Sequence, residues 1–541
     1  MRRGFTERTY GDDDWFSIVK RHFATQLVEE EDPISSRTLH LARSTEMTGE
    51  PTFLWARAER TMAISPGAFA RFYSQYLTAD RARALVVRPL AGAVGPAAVA
   101  DSPAGGGTRE LREATPPAPS ASEVRAWMRP PGVALARRAT LRNDLEVVAL
   151  RRPHSTFHAV VRAFRGGHVD EQMPGVGVAS LWAKERLKMS AATWGVAYRD
   201  KVDADTTYEV LQAAASDVDF TLKELDDENT FRVFWPPRQF SSRMQAYEAE
   251  ERSADAQFDR RLRAALYGSH PYGREATIAE IHAVTPRAVD VFLDSIRRPR
   301  NGLVVIVADV DPSTAVRIAA SRLDRGGDTS APEPTLASVP ALERSAAGPG
   351  ERLIVQDRPG SDSARMRFMC ALPRVEAQAW GATEVSADAV TMRLRYDLRE
   401  RTASSYAISS EVRILRGGTA VFDLEADVDH SHLPQAIRVL RRFVEQPASA
   451  QLDEDGLERA KGAAAFSYNL SFGTARQVAL RIMDMWRLGW PVEALDRYPE
   501  QVESAKLADA LRIVEHCREN WVVGLIGDEA RVRAAAGDWK P

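Results

Sequence analysis

The strongest constraint on this chain is an internal repeat, because a unit written more than once has to bury the same faces each time. The first copy runs from Ala63-Ile-Ser-Pro66 through Phe69, Phe72, Tyr73 and Tyr76 to Ala84-Leu-Val-Val-Arg-Pro89. The second runs from Ala283-Val-Thr-Pro286 through Val289, Phe292 and Leu293 to Gly302-Leu-Val-Val-Ile-Val-Ala-Asp309. The third runs from Ser504 through Leu507, Leu511, Ile513 and Val514 to Trp521-Val-Val-Gly-Leu-Ile-Gly-Asp528. Ser65-Pro66 and Thr285-Pro286 each set a hydroxyl N-cap before a proline at the first helical position. The apolar residues that follow recur at helical spacing, and each copy ends in a Val/Leu/Ile run that reads as a buried strand.

A second element recurs ahead of two of these copies. Asp144-Leu-Glu-Val-Val-Ala-Leu-Arg-Arg-Pro153 leads into Phe157-His-Ala-Val-Val-Arg-Ala-Phe164, and Arg352-Leu-Ile-Val-Gln-Asp-Arg-Pro359 leads into Met366-Arg-Phe-Met-Cys-Ala-Leu372. Both read as strand, proline turn, strand, and the first turn, flanked by His154 and His158, reads as a hairpin. The simplest division is two complete α+β units, residues 126–340 and 341–541. Residues 1–95 read as the end of a third unit whose beginning is absent. Residues 96–125, with Ala104-Gly-Gly-Gly107 and Thr115-Pro-Pro-Ala-Pro119, read as a linker.

Bulk properties narrow the field. At 541 residues the chain is long enough for two to four domains. Its 72 basic and 75 acidic residues leave a formal charge of −3, which argues against a nucleic-acid binder. No apolar run approaches the ~20 residues that span a bilayer. Met1-Arg-Arg-Gly-Phe-Thr-Glu-Arg8 carries no apolar signal core, so the chain as written reads as cytoplasmic, or as periplasmic if a signal lies upstream. The two cysteines, Cys370 and Cys517, form no CxxC pair, and the expectation is neither a disulfide framework nor a cysteine zinc site.

The segment Gly167-His-Val-Asp-Glu171, followed by Gly177-Val-Ala179 after a six-residue step from Glu171, resembles the M16 metallopeptidases. These are the pitrilysin, insulin-degrading and mitochondrial processing peptidase group. His270-Pro-Tyr-Gly273 resembles another recurring motif of that family. The resemblance covers nearly the whole chain. It implies an α+β fold of repeated M16-type domains, each an antiparallel sheet flanked by helices. In the family, Gly-Leu-Ala is followed by His-x-x-Glu-His. Two histidines at i and i+4 then face one Zn²⁺, and the glutamate acts on its bound water. Here Ser180, Ala183 and Lys184 stand at the His, Glu and His positions, and no histidine lies between His168 and His270. An ammonium at Lys184 would repel a cation there. The third ligand position falls near Glu248 or Glu250, and the plain alternative for both is a solvated acidic helix face.

Asp397-Leu-Arg-Glu400 and Ser405-Tyr406 resemble the family's Leu-Arg-Glu motif, with Tyr406 seven residues after Arg399. In relatives this pair reaches the peptide and the active site. A guanidinium grips carboxylates and carbonyls, and a phenol donates to an oxyanion. The plain alternative is a surface Arg–Glu pair and a half-buried strand tyrosine. His270 reads as part of a structural loop. The cluster Asp427-Val-Asp-His-Ser-His432 reads as turn-making and helix capping before it reads as a metal site.

These residues imply a non-catalytic M16-like protein, with no catalytic residues, no metal ligands and no cofactor of its own. It would bind peptide through Arg399 and Tyr406 beside a catalytic M16 subunit or another M16-like chain. Two alternatives stand beside this one. One is an active zinc endopeptidase whose motif lies upstream; the other is a structural or assembly subunit.

Overall fold

The structure is a computed structural model. It describes residues 16, 19–20, 23, 27, 33–53, 56–78, 80–81, 83, 120–155, 157–171, 176–178, 197–214, 218–226, 237–324, 336–342, 344–348, 350–401, 405–446, 452–537 and 539. The first sheet contains β1 (Arg137–Thr140), β2 (Glu146–Arg151), β3 (Phe157–Arg165), β4 (Ala197–Val202), β5 (Thr206–Ala214) and β6 (Gly302–Ala308). The second contains β7 (Leu353–Asp357), β8 (Ser363–Leu372), β9 (Ser405–Ile414), β10 (Ala420–Asp429) and β11 (Trp521–Gly527).

The strand orders are β1-β2-β6-β3-β5-β4 and β7-β11-β8-β10-β9. Without β1 the two orders are the same, element for element, so the sequence repeat is a repeat of topology. The repeated Val/Leu/Ile runs are β6 and β11, and both are buried along their whole length. Each enters the middle of its sheet, parallel to the strand on one side and antiparallel to the strand on the other. The sheets are therefore antiparallel except for one parallel pair each, β2 with β6 and β7 with β11. This corrects the hairpin reading of the turn between His154 and His158. β2 and β3 do not pair, because β6 lies between them, and β11 separates β7 from β8 in the same way.

Both faces of each sheet are covered, which explains why the central strands are apolar at every position instead of alternating. On β6, Val304 and Ile306 face one layer with Leu211 and Leu222, while Leu303, Val305 and Val307 face another with Ile482 and Trp486. That second layer comes from the other half of the chain: helix Ala475–Leu488 lies across β3 and β6. Trp486 anchors it, donating from Nε1 to Glu146 Oε1 at 3.0 Å and lying 4.0 Å below the Arg165 guanidinium. The exchange is reciprocal. Helix Ala254–Tyr267 from the first half covers β7 and β11 of the second sheet, with Phe258, Leu262 and Leu266 fully buried. Phe258 rests on Gly524 of β11, where an added Cβ would come within 2.5 Å of its ring.

The first repeat copy forms helix Pro66–Tyr76 with Ser65 as its N-cap, matching Thr285 ahead of helix Pro286–Ile296. The two helices differ in burial. Val289 and Phe292 are 1% and 7% exposed, while Phe69 and Phe72 at the corresponding positions are 42% and 55% exposed. The strand expected at residues 84–89 and the linker motifs lie outside the described residues. Among the described residues, no helix is long and apolar enough to cross a membrane.

Cys370 and Cys517 are bonded to each other across 147 residues, against the sequence expectation. Their proximity is a tertiary effect. Trp521 of β11 pairs with Cys370 of β8, and Cys517 ends helix Leu507–Cys517, which leads into β11. Sequence spacing holds no trace of that pairing.

Phe258→Ala should destabilise the protein by about 3–5 kcal/mol, the usual result of emptying a buried aromatic site. The change should lower the urea midpoint of both halves together. A variant in which only the first half loosens would contradict the reciprocal packing.

Candidate functional site

The segment that resembles the peptidase motif begins at the end of β3. Gly167-His-Val-Asp-Glu171 turns there through a short 3₁₀ helix, His168–Asp170. Its two carboxylates have different tasks. Glu171 Oε2 accepts from the Gly177 backbone N–H at 2.9 Å, so the two residues that anchor the sequence alignment are joined directly. Gly177 has φ +95°, and a Cβ there would meet Ile281 Cδ1 at 2.3 Å, so only glycine fits. Asp170 faces the second half. Its Oδ1 accepts from Arg416 Nη2 at 2.9 Å and from the Ala337 N–H at 2.8 Å.

Asp205 extends this buried bridge. It accepts from the Tyr272 hydroxyl at 2.6 Å and from the Arg416 N–H at 3.0 Å, and Arg487 lies 3.7 Å away. Burial, and then the Asp205 charge, push the Tyr272 hydroxyl pKa well up, so it stays a donor. Buried carboxylates of this kind are tolerated because guanidinium, phenol and amide donors all converge on them.

Beside the bridge is a cavity of about 350 Å³, with His168, Glu171, Val176, Glu250, Arg263 and Glu275 among its lining. His168 is a site residue that sequence reasoning passed over. Burial, followed by the Arg263 and Lys201 charges, lowers its pKa to about 4, so the imidazole is neutral at pH 7. The only signal for it in the sequence was its place inside the Gly-x-x-x-Glu motif.

The sequence-derived candidates distribute as follows. Ser180, Ala183 and Lys184 lie outside the described residues, which stop at Val178 and resume at Ala197. Glu248 and Glu250 sit on helix Pro237–Glu251. Glu248 is ion-paired with Arg252 at 3.0 Å and lies 2.8 Å from the His282 ring, while Glu250 lines the cavity. His270 serves the loop: Nδ1 accepts from the Tyr272 N–H at 3.3 Å and Nε2 lies 2.9 Å from the Pro340 carbonyl. His430 Nε2 lies 3.0 Å from the Ser361 carbonyl, which ties a turn together. His432 occupies the N-cap of helix Leu433–Glu445, and its own side chain makes no cap bond there. Among the described residues, no group of three His, Cys, Asp or Glu side chains is placed to hold a metal ion.

Arg399 belongs to a π-helical turn, Tyr396–Arg401, that continues helix Trp380–Arg395. Such turns interrupt the regular ladder and are frequent where function needs a side chain re-aimed. Arg393 and Asp397 clamp the turn through two bonds of 3.1 Å. The Arg399 side chain is 44% exposed, with Glu400 3.5 Å from its Nε. Tyr406 is the second residue of β9, the edge strand of the second sheet, and its side chain lies outside the described residues. Arg395 ties the two elements, donating to the Ile408 carbonyl at 3.2 Å. The same helix buries Glu384, which accepts from Tyr498 and Trp380 at 2.7 Å each. Near it, burial and then the Glu384 charge push the Asp388 carboxyl up to about 7. This pair lies in the helix core and reads as structural.

No family model matches the sequence, and no curated protein does. Solved structures do match. A protease from Helicobacter pylori superposes with a TM-score of 0.58 at 16% identity, covering 72% of this chain and 99% of its own. A peptidase M16 inactive domain from Pseudomonas fluorescens gives 0.58 at 16%, covering 73% and 98%. A chain of complex III2 from Candida albicans, solved with Inz-5 bound, gives 0.59 at 12%, covering 75% and 99%. The protein therefore has the M16-like fold, with two helix-flanked sheets.

The neutral His168 gives a pH prediction. Its folded pKa lies below the unfolded value of 6.5, so the unfolded chain takes up a proton first as pH falls. The stability is complete above pH 6.5 and drains between 6.5 and 4, at up to about 1.4 kcal/mol per pH unit. His168→Gln should remove that part of the acid sensitivity. Urea midpoints of both proteins at pH 4–7 would reveal it, and parallel curves would rule the effect out.

Proposed function

We propose that this chain is a non-catalytic M16-peptidase-like protein that binds peptide beside a catalytic partner. One observation carries the reading. Glu171 and Gly177 keep the frame of the zinc-peptidase segment, yet Ser180, Ala183 and Lys184 occupy its His, Glu and His positions. None of these three is a zinc ligand or a general base of the required kind, and a lysine there opposes a cation. The chain supplies no zinc and no activated water. Its partner, a zinc-bearing M16-type subunit, performs the hydrolysis.

Arg399 and Tyr406 are the residues assigned to peptide. Arg399 extends from a clamped π-helical turn, and Tyr406 is the second residue of the edge strand β9. The guanidinium holds a peptide carbonyl or carboxylate, and the phenol donates to oxygen as negative charge develops on it. Fixed donors of this kind act without reorganising, which is why a subunit lacking the metal still contributes to rate. A second reading, a scaffold subunit, draws support from the likeness to a chain of complex III2. On that reading Arg399 and Tyr406 have no part in turnover.

The paired variant Arg399→Ala/Tyr406→Phe separates the two. The assay is the peptidase activity of the complex recovered from the source cells, measured on a fluorescent unstructured casein. The proposal expects a loss on the order of 10²-fold, typical for removing donors to developing charge. Unchanged activity with an intact complex favours the scaffold.

A further inference from the structure

The chain has two cysteines in 541 residues, and they are bonded to each other. Cys370 is 0% exposed and Cys517 is 1% exposed, so solvent reaches neither sulfur in the folded protein. They share the apolar layer that holds Phe368, Phe422 and Trp521. Their Cα atoms are 5.5 Å apart, in the ordinary range for a bridge. The backbone sets this separation through the β8–β11 ladder, in which Trp521 is the partner of Cys370. Reactive and regulatory cysteines sit at accessible, electropositive positions, whereas an enclosed pair is structural. The bridge closes a 147-residue loop that contains β9, β10 and the π-helical turn.

We infer that the Cys370–Cys517 bridge is a structural disulfide installed by a thiol–disulfide oxidoreductase, and that the protein matures in an oxidising, extracytoplasmic compartment. Stable structural disulfides belong to such compartments, since cytosolic thiol pools keep pairs of this kind reduced. The chemistry is exchange. The thiolate of one cysteine attacks the oxidoreductase disulfide, forming a mixed disulfide and releasing one catalyst thiolate. The thiolate of the second cysteine then attacks the first at sulfur and expels the other catalyst thiolate. One S–S bond forms in this chain, one is reduced to a dithiol in the catalyst, and the two protons pass to that dithiol. Because the folded core encloses both sulfurs, the exchange precedes closure of the layer around Phe368 and Trp521. The inference stands apart from the peptide-binding proposal and survives its failure.

The test uses the full chain in its source cells. Cells are quenched in acid, fractionated, and treated with N-ethylmaleimide in denaturant before and after reduction, with peptide masses read at Cys370 and Cys517. The inference expects the chain outside the cytoplasm, with no adduct before reduction and one at each cysteine after it. Adducts at both cysteines without reduction, or recovery in the cytoplasmic fraction, would overturn it. On the purified protein, the Cys370→Ala/Cys517→Ala variant should melt lower, by on the order of 10 °C, and should not respond to added reductant. Equal melting temperatures would show that the bridge carries no structural role.

Discussion

The architecture depends on a reciprocal exchange of helices. Among the described residues, each sheet has one face covered by helices of its own half and the other by a helix of the opposite half. Helix Ala475–Leu488 closes the first sheet and helix Ala254–Tyr267 closes the second. An apolar central strand such as β6 or β11 is stable only between two covered faces, so each half needs the other to hide its core. The exchange also fixes the ionic bridge. Once the helices are in place, Asp170 and Asp205 of the first half lie against Arg416 and Arg487 of the second. That bridge grows from the same five-residue motif that supports Gly177, so one short segment both holds that glycine and joins the two halves.

The duplication gives the two candidate regions a common origin in topology. In the first sheet, the segment between β3 and the edge strand β4 contains Ser180, Ala183 and Lys184. In the second sheet, the segment between β8 and the edge strand β9 contains helix Trp380–Arg395 and the turn bearing Arg399. The same slot therefore holds the Ser180–Lys184 segment in one half and the turn bearing Arg399 in the other, the two regions on which the proposed function rests.

Much of this was legible in the sequence, for physical reasons. Ser65-Pro66 and Thr285-Pro286 mark helix starts because hydroxyl caps and an N1 proline act locally. The runs at β6 and β11 announce burial on both faces because nothing polar interrupts them. The pairing of strands was not legible, since a proline turn looks the same whether its strands pair or stand apart with a third between them. Insertion of β6 and β11 is a long-range event, and so is the Cys370–Cys517 bridge that follows from it. His168 was missed for a related reason: its neutrality comes from burial and from Arg263, which lies 95 residues away. The unburied helix Pro66–Tyr76 has the same start signal and spacing as its buried counterpart, and local pattern cannot say what a face will meet.

Under the proposed function the M16-like fold carries no zinc ligands at Ser180, Ala183 and Lys184. The most direct measurement is zinc content of the purified full chain by elemental analysis, after dialysis against a mild chelator. The account predicts a value near zero per chain. A value near one zinc per chain would contradict it and send the ligand search to Glu250, His168 and the Asp427–His432 segment.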